Sequence, residues 1–200
     1  MFALVDKSDN SITKMFSGNK GVNIEDNRYS AQIFSIWTEA ERNAINIYEI
    51  EMDTSKRKDE EWYINTSITY SFDGSKAKGS YGDAAAIPHA DKLYTKEDED
   101  NGLGTEGEVK EKGKKSILID KVKKEAANEL NKTDWYVIRK TEEETAIPSA
   151  VTTHRKAVRS KQAEMETAIS NASDILALET LYTRNNEGVR PLGDIPQKDF

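Results

Sequence analysis

The sequence predicts an α+β protein: a small antiparallel β-rich N-terminal domain followed by a helical, helix-hairpin C-terminal domain. Three observations carry this. Between residues 62 and 72, Trp62, Ile64, Thr66, Ile68, Tyr70 and Phe72 alternate with Tyr63, Asn65, Ser67, Thr69 and Ser71, the period-two pattern of a half-buried strand. Further on, Val151, Val158 and Met165 recur every seven residues, the narrow stripe of a helix pair. Between the two lies "TKEDEDNGLGTEGEVK", acidic, glycine-containing and nearly without apolar side chains. The chain therefore divides into a β-rich domain with one short helix (1–82), an acidic linker (83–108), a helical domain (109–185) and an extended tail (186–200).

The elements follow in order. "FALV", the turn-like "DKSDN" and "SITKMF" form a hairpin. Thr38, with Glu41 three residues later, has the form of a capping box and starts a two-turn helix. "INIYEIEM" is β-branched and aromatic, hence strand. Asp73-Gly74 turns the alternating strand back into "SKAKGSYG", whose small residues and lysines suit a sheet edge. Beyond the linker, Ile119, Val122, Ala126 and Leu130 share one helical face. Pro148 suits the first turn of a second helix, and Ser173-Asp174 cap a third.

Composition excludes much chemistry. There is no cysteine, which removes disulfides, thiolate catalysis and cysteine zinc sites. The N-terminus lacks the basic start and apolar run of a secretory signal, and no apolar run approaches membrane-spanning length. The net charge of −7 leaves no global basic footprint for nucleic acid.

The local motifs are equally bland. Gly102, Gly104 and Gly107 match G-x-G-x-x-G, but the preceding "KEDEDN" cannot be the buried strand a dinucleotide site requires. "KEDED" lacks the EF-hand spacing for calcium. His89 and His154 have no ligand-spaced neighbours and read as solvated surface residues. Arg139, Lys140, Arg155, Lys156, Arg159 and Lys161 form a basic sector, yet the interleaved Glu142, Glu143 and Glu144 favour salt bridges over nucleic acid. No cofactor or metal is implied.

"TDWYVIRKTEEETAIPSAV", residues 133–151, concentrates bulky side chains in a polar region. Trp135 and Ile138 would share one side of a short helix and plug the elbow between two longer ones; a partner-docking patch is the second reading. This stretch resembles the C-terminal region of bacteriophage tail fibre assembly chaperones and tail-associated proteins. The resemblance runs through Thr133, Asp134, Trp135, Val137, Ile138, Arg139, Ile147, Pro148, Arg155 and Arg159, with support from "RPLGDIP" and from "FALVDKSDNSITKMF" and "IWTEAERNAINIYEI" near the N-terminus. It implies a non-enzymatic protein of the host cytoplasm that shields a tail fibre or other tail protein during assembly, or alternatively a structural tail or baseplate component of the virion. On that reading the partner-binding residues are Trp135, Ile138, Arg139, Val151, Arg155, Val158 and Arg159. The partner is a protein, including a second copy of the chain, and neither nucleic acid nor membrane.

Overall fold

β1 (Phe2–Asp6) and β2 (Ser11–Phe16) pair antiparallel in the expected hairpin, with a register shift between Leu4 and Val5. The computed structural model describes residues 1–200, which divide into two units, 1–85 and 86–200.

In the first unit, β3 (Val22–Ile24) and β4 (Asn27–Tyr29) make a small ribbon. A 3-10 turn at Ala31–Phe34 follows. α1 (Glu39–Ala44) begins at the predicted capping box: the Thr38 N–H donates to Glu41 Oε2 at 2.7 Å, and the Glu41 N–H donates to Thr38 Oγ1 at 3.3 Å. β5 (Ile47–Asp53), β6 (Tyr63–Ile64), β7 (Ile68–Phe72) and β8 (Ala77–Tyr81) come next, then β9 (Ala85–Ala86).

The main sheet has the order β2-β1-β5-β8-β7. β1 feeds two apolar layers by alternation: Phe2 joins Phe16, Val22, Ile33, Phe34 and Ile47, while Ala3 and Val5 join Tyr48, Ile50, Phe72 and Ala77.

Three expectations change here. The sheet is mixed, because β5 and β8 run parallel. The alternating segment 62–72 is not one strand: Trp62 and Tyr63 are both buried, Ile64 is exposed, and regular pairing to β8 starts only at Ile68. β8 lies inside the sheet and not at its edge. Its small residues serve close packing, since a Cβ on Gly79 would lie 2.6 Å from Met52 Sδ and 3.0 Å from the Tyr70 ring.

In the second unit, the segment read as a linker carries defined elements. β10 (Lys92–Leu93) and β11 (Val109–Glu111) pair antiparallel around α2 (Lys96–Asp100). α2 has a capping box of Thr95 and Asp98, and Lys110 Nζ reaches Asp98 Oδ1 at 2.6 Å. The Lys110 hydrogen bond, helped by the Thr95 N–H, holds the Asp98 carboxyl down at about 2. Gly102 and Gly107 take positive φ, and Gly104 lies where any side chain would strike the Tyr94 ring. These glycines lead from a helix into a strand, the reverse of the order a dinucleotide turn requires.

Four helices complete the unit: α3 (Lys114–Asn131), α4 (Asp134–Glu143), α5 (Ser149–Asn171) and α6 (Ile175–Tyr182). α3 starts at Gly113, which has no capping side chain, so Asp91 supplies one from 22 residues upstream. The Gly113 N–H donates to Asp91 Oδ1 at 2.7 Å, and Ser116 Oγ donates to Asp91 Oδ2 at 2.7 Å. A Cβ at Gly113 would sit 2.3 Å from the Ala90 carbonyl carbon, which explains the glycine.

The buried face of α3 is Leu118, Val122, Ala126 and Glu129, one position off the expected Ile119 and Leu130. It packs along α5, whose buried residues are Val151, His154, Arg155, Val158, Met165 and Ile169. Ile175 and Leu178 of α6 add to the unit's buried residues. The tail, expected to be extended, instead turns back: Leu192 N–H donates to Leu181 O at 3.0 Å, and Leu192 and Ile195 are buried.

Asp91→Ala removes the remote cap and should destabilise the second unit by about 1 kcal/mol, as typical N-cap losses do. A urea midpoint shift, with faster amide exchange in the first turn of α3, is the expected readout.

Candidate partner-docking site

The α3–α5 seam is apolar except at one level, where two polar clusters replace the hydrophobic side chains. In the first, Glu129 is 1% exposed in its side chain, accepts two hydrogen bonds at Oε1 and pairs with Lys132 at Oε2. His154 Nε2 donates to Oε1 at 2.8 Å, the Lys198 backbone N–H donates to Oε1 at 2.9 Å, and Lys132 Nζ lies 2.6 Å from Oε2. Burial works against the carboxylate charge more strongly than any other single influence. The bonds from Lys132, Lys198 and His154 together outweigh it and hold the Glu129 carboxyl below its usual 4.5. The Phe200 ring covers His154 at 5.2 Å between centroids, so the chain's last residues are drawn onto this cluster.

In the second cluster, buried Arg155 donates from one guanidinium nitrogen to Leu130 O at 2.8 Å and to Thr133 Oγ1 at 2.7 Å. The same nitrogen lies 2.8 Å from Asp134 Oδ1. Thr133, fully buried at the N-cap of α4, makes no side-chain cap; its hydroxyl donates to Leu130 O at 3.0 Å and receives Arg155. The step from α3 to α4 is thereby tied to α5.

α4 leaves that clamp as a helix with no buried residue. Trp135 is 48% and Ile138 56% exposed, and Val137 is exposed between them in sequence. The Trp135 and Tyr136 rings stack with centroids 3.7 Å apart. The Arg139 guanidinium lies over both, 4.8 Å from Trp135 and 5.6 Å from Tyr136, and its covered Nε has no hydrogen-bond partner.

The seven predicted partner residues therefore do not form one surface. Trp135, Ile138 and Arg139 are together on α4, and Arg159 is exposed on α5. Val151, Arg155 and Val158 must be corrected: they lie inside the α3–α5 seam, where Val151 and Val158 are 1% and 0% exposed. Trp135 and Ile138 do not plug the elbow, because Arg155, Thr133 and Asp134 already close it. His154 is likewise a correction: it is buried and bonded to Glu129, not solvated.

The signal for Glu129 and His154 was present in their spacing. Glu129 continues the 118–122–126 series by three, and His154 sits between Val151 and Val158 on one stripe. A charged residue on each of two facing apolar stripes points to a mutual pair.

Compared with family models, curated proteins and solved structures, the chain matches none.

Glu129→Ala strands the buried His154 and the Lys198 N–H, and should cost about 3–5 kcal/mol by urea unfolding, the range for breaking a buried pair. The pH dependence has a definite sign. A carboxyl held below its usual 4.5 contributes fully above that pH, and the contribution is lost as pH falls through the lower folded value. Glu129→Gln should therefore lose less stability between pH 5 and pH 3 than the wild type does, measured as the difference in unfolding midpoints.

Proposed function

We propose that this chain is a non-enzymatic assembly helper, a bacteriophage tail fibre or tail assembly chaperone, which holds a segment of its client on α4. The carrying observation is that α4, fixed at its start by the buried Arg155 clamp, leaves Trp135, Val137 and Ile138 in solvent. A rigid helix with an uncovered aromatic and aliphatic surface suits recognition of a protein segment. Arg139 adds chemical selectivity: stacked on two rings and without a carboxylate partner, it favours a client that brings an acidic group beside apolar ones. Tryptophan and arginine are also the side chains most often found to dominate interface energies.

The resemblance of residues 133–159 to tail assembly proteins supplies the biological class, and action in the host cytoplasm during assembly follows from it. Protein is the proposed partner class: the net charge is −7, and no helix is long and apolar enough to cross a membrane. A permanent tail or baseplate subunit could use the same surface. The composition of purified particles separates the two roles, since a helper is absent from them and a subunit is present in stoichiometric amount.

Co-expression with the neighbouring tail fibre chain tests the proposal. The wild type should raise the yield of soluble fibre. Trp135→Ala with Ile138→Ser should abolish that gain and weaken a pull-down by about 30-fold or more, the scale of losing a hot-spot residue. Both side chains are exposed, so the variant's own unfolding midpoint should be unchanged. A fibre that folds equally well alone overturns the reading.

A further inference from the structure

Asn101-Gly102 is the chain's one Asn-Gly step. In such a step no side chain shields the glycine nitrogen, which can attack the carbonyl carbon of the asparagine side chain. The attack forms a C–N bond, closes a five-membered succinimide and releases the side-chain nitrogen as ammonia. Water then opens the ring at either carbonyl, leaving isoaspartate or aspartate. Water is the only co-reactant, and nothing is oxidised or reduced.

The fold holds this step in an unreactive form. Asn101 is the C-cap of α2, with φ −89° and ψ 2°. At that ψ the Gly102 nitrogen is turned away from the Cβ side of Asn101, so the ring cannot close without rotation about Cα–C. The reacting groups are also engaged: Asn101 Nδ2 donates to Glu97 O at 2.8 Å, and the Gly102 N–H donates to Glu99 O at 2.9 Å. Yet Asn101 is exposed, the side of Gly102 where a Cβ would stand is open, and α2 has no buried residue. A five-residue helix does not persist by itself. What keeps α2 wound is the Thr95–Asp98 capping box and Lys110 Nζ on Asp98 Oδ1 at 2.6 Å.

The chain's one Asp-Gly step, Asp73-Gly74, offers the same ring closure but is better guarded. Its carboxylate accepts from the Ser75 and Lys76 N–H groups and the Ser75 hydroxyl, and Lys78 Nζ lies 2.8 Å away. Lys78, with these backbone donors, holds the Asp73 carboxyl far below the usual range. The protonated acid that must lose water in this ring closure is therefore scarce. Asn101 loses ammonia and needs no protonated acid.

We infer that Asn101 is a self-modification site gated by α2, deamidating through openings in which the Asp98–Lys110 lock parts and α2 unwinds. Each event adds one negative charge to a net −7, at a helix C-terminus where negative charge is unfavourable. Isoaspartate also lengthens the main chain by one carbon, so α2 does not rewind as before. The β10–β11 ribbon around it is then loosened irreversibly. The site is separate from α4 and does not depend on the proposed client.

The test incubates the full chain at neutral pH beside an end-blocked peptide of residues 97–105, and locates the conversion of amide to carboxyl by mass spectrometry. Conversion in the chain should fall at Asn101 and run about tenfold or more slower than in the peptide, as opening of a hydrogen-bonded turn requires. Lys110→Ala should speed it by about 5- to 30-fold, the factor for losing one such lock. Thr95→Ala, which removes the cap by a different route, should act in the same direction, and Trp135→Ala should leave the rate unchanged. The proposal is overturned if the chain converts as fast as the peptide, or if another asparagine converts first. It is equally overturned if neither Lys110→Ala nor Thr95→Ala changes the rate.

Discussion

The second unit depends on charge buried between α3 and α5. Glu129 and Arg155 occupy positions on the two facing stripes that apolar residues would otherwise fill. Withdrawing either group from water costs several kcal/mol, a cost offset only where every lone pair and N–H is met at good geometry. Glu129 offsets that cost through two hydrogen bonds to Oε1 and the Lys132 ion pair at Oε2, and Arg155 through three acceptors gathered around one guanidinium nitrogen. Slipping α5 by one turn along α3 would separate both sets at once. The seam's valines, methionine and isoleucine would tolerate such a slip far better, because apolar contacts are not directional. The polar level therefore sets the register of the helix pair.

Two features of the surface follow. The Arg155 clamp uses Thr133 and Asp134, the residues that begin α4, so the direction in which α4 leaves the seam is set from inside. With its start fixed and no neighbour over its apolar side, α4 holds Trp135 and Ile138 outward. The Glu129 cluster receives the Lys198 N–H, while Leu192 and Ile195 are buried nearby in sequence. The last turn of chain is thus part of the fold rather than an appendage. This stretch accordingly has two roles: Thr133, Asp134 and Arg155 make the joint, whereas Trp135, Ile138 and Arg139 are what the joint displays.

The first unit obeys a different constraint. β1 and β5 contribute to apolar layers on both faces, and parallel β8 lies beside β5 with Gly79 against Met52, where a side chain would collide. The outermost strands of the sheet order, β2 and β7, approach each other without hydrogen-bonded pairing.

What the sequence determined by itself was local. The α+β division, the first hairpin, the Thr38–Glu41 capping box, the two long helices and the shorter one after Asp174 all come from short-range spacing and backbone satisfaction, so they were legible. The tertiary structure decided whatever depended on a partner far along the chain. Asp91 caps α3 across 22 residues, His154 finds Glu129 across 25, and Lys198 finds it across 69. The alternation at 62–72 misled because Trp62 and Tyr63 are buried together by their surroundings, which no period-two rule records. The site was half legible for the same reason. Spacing marks which residues lie on a stripe, but only packing decides whether that stripe is closed by a neighbour, as for Val151 and Val158, or left open, as for Trp135 and Ile138.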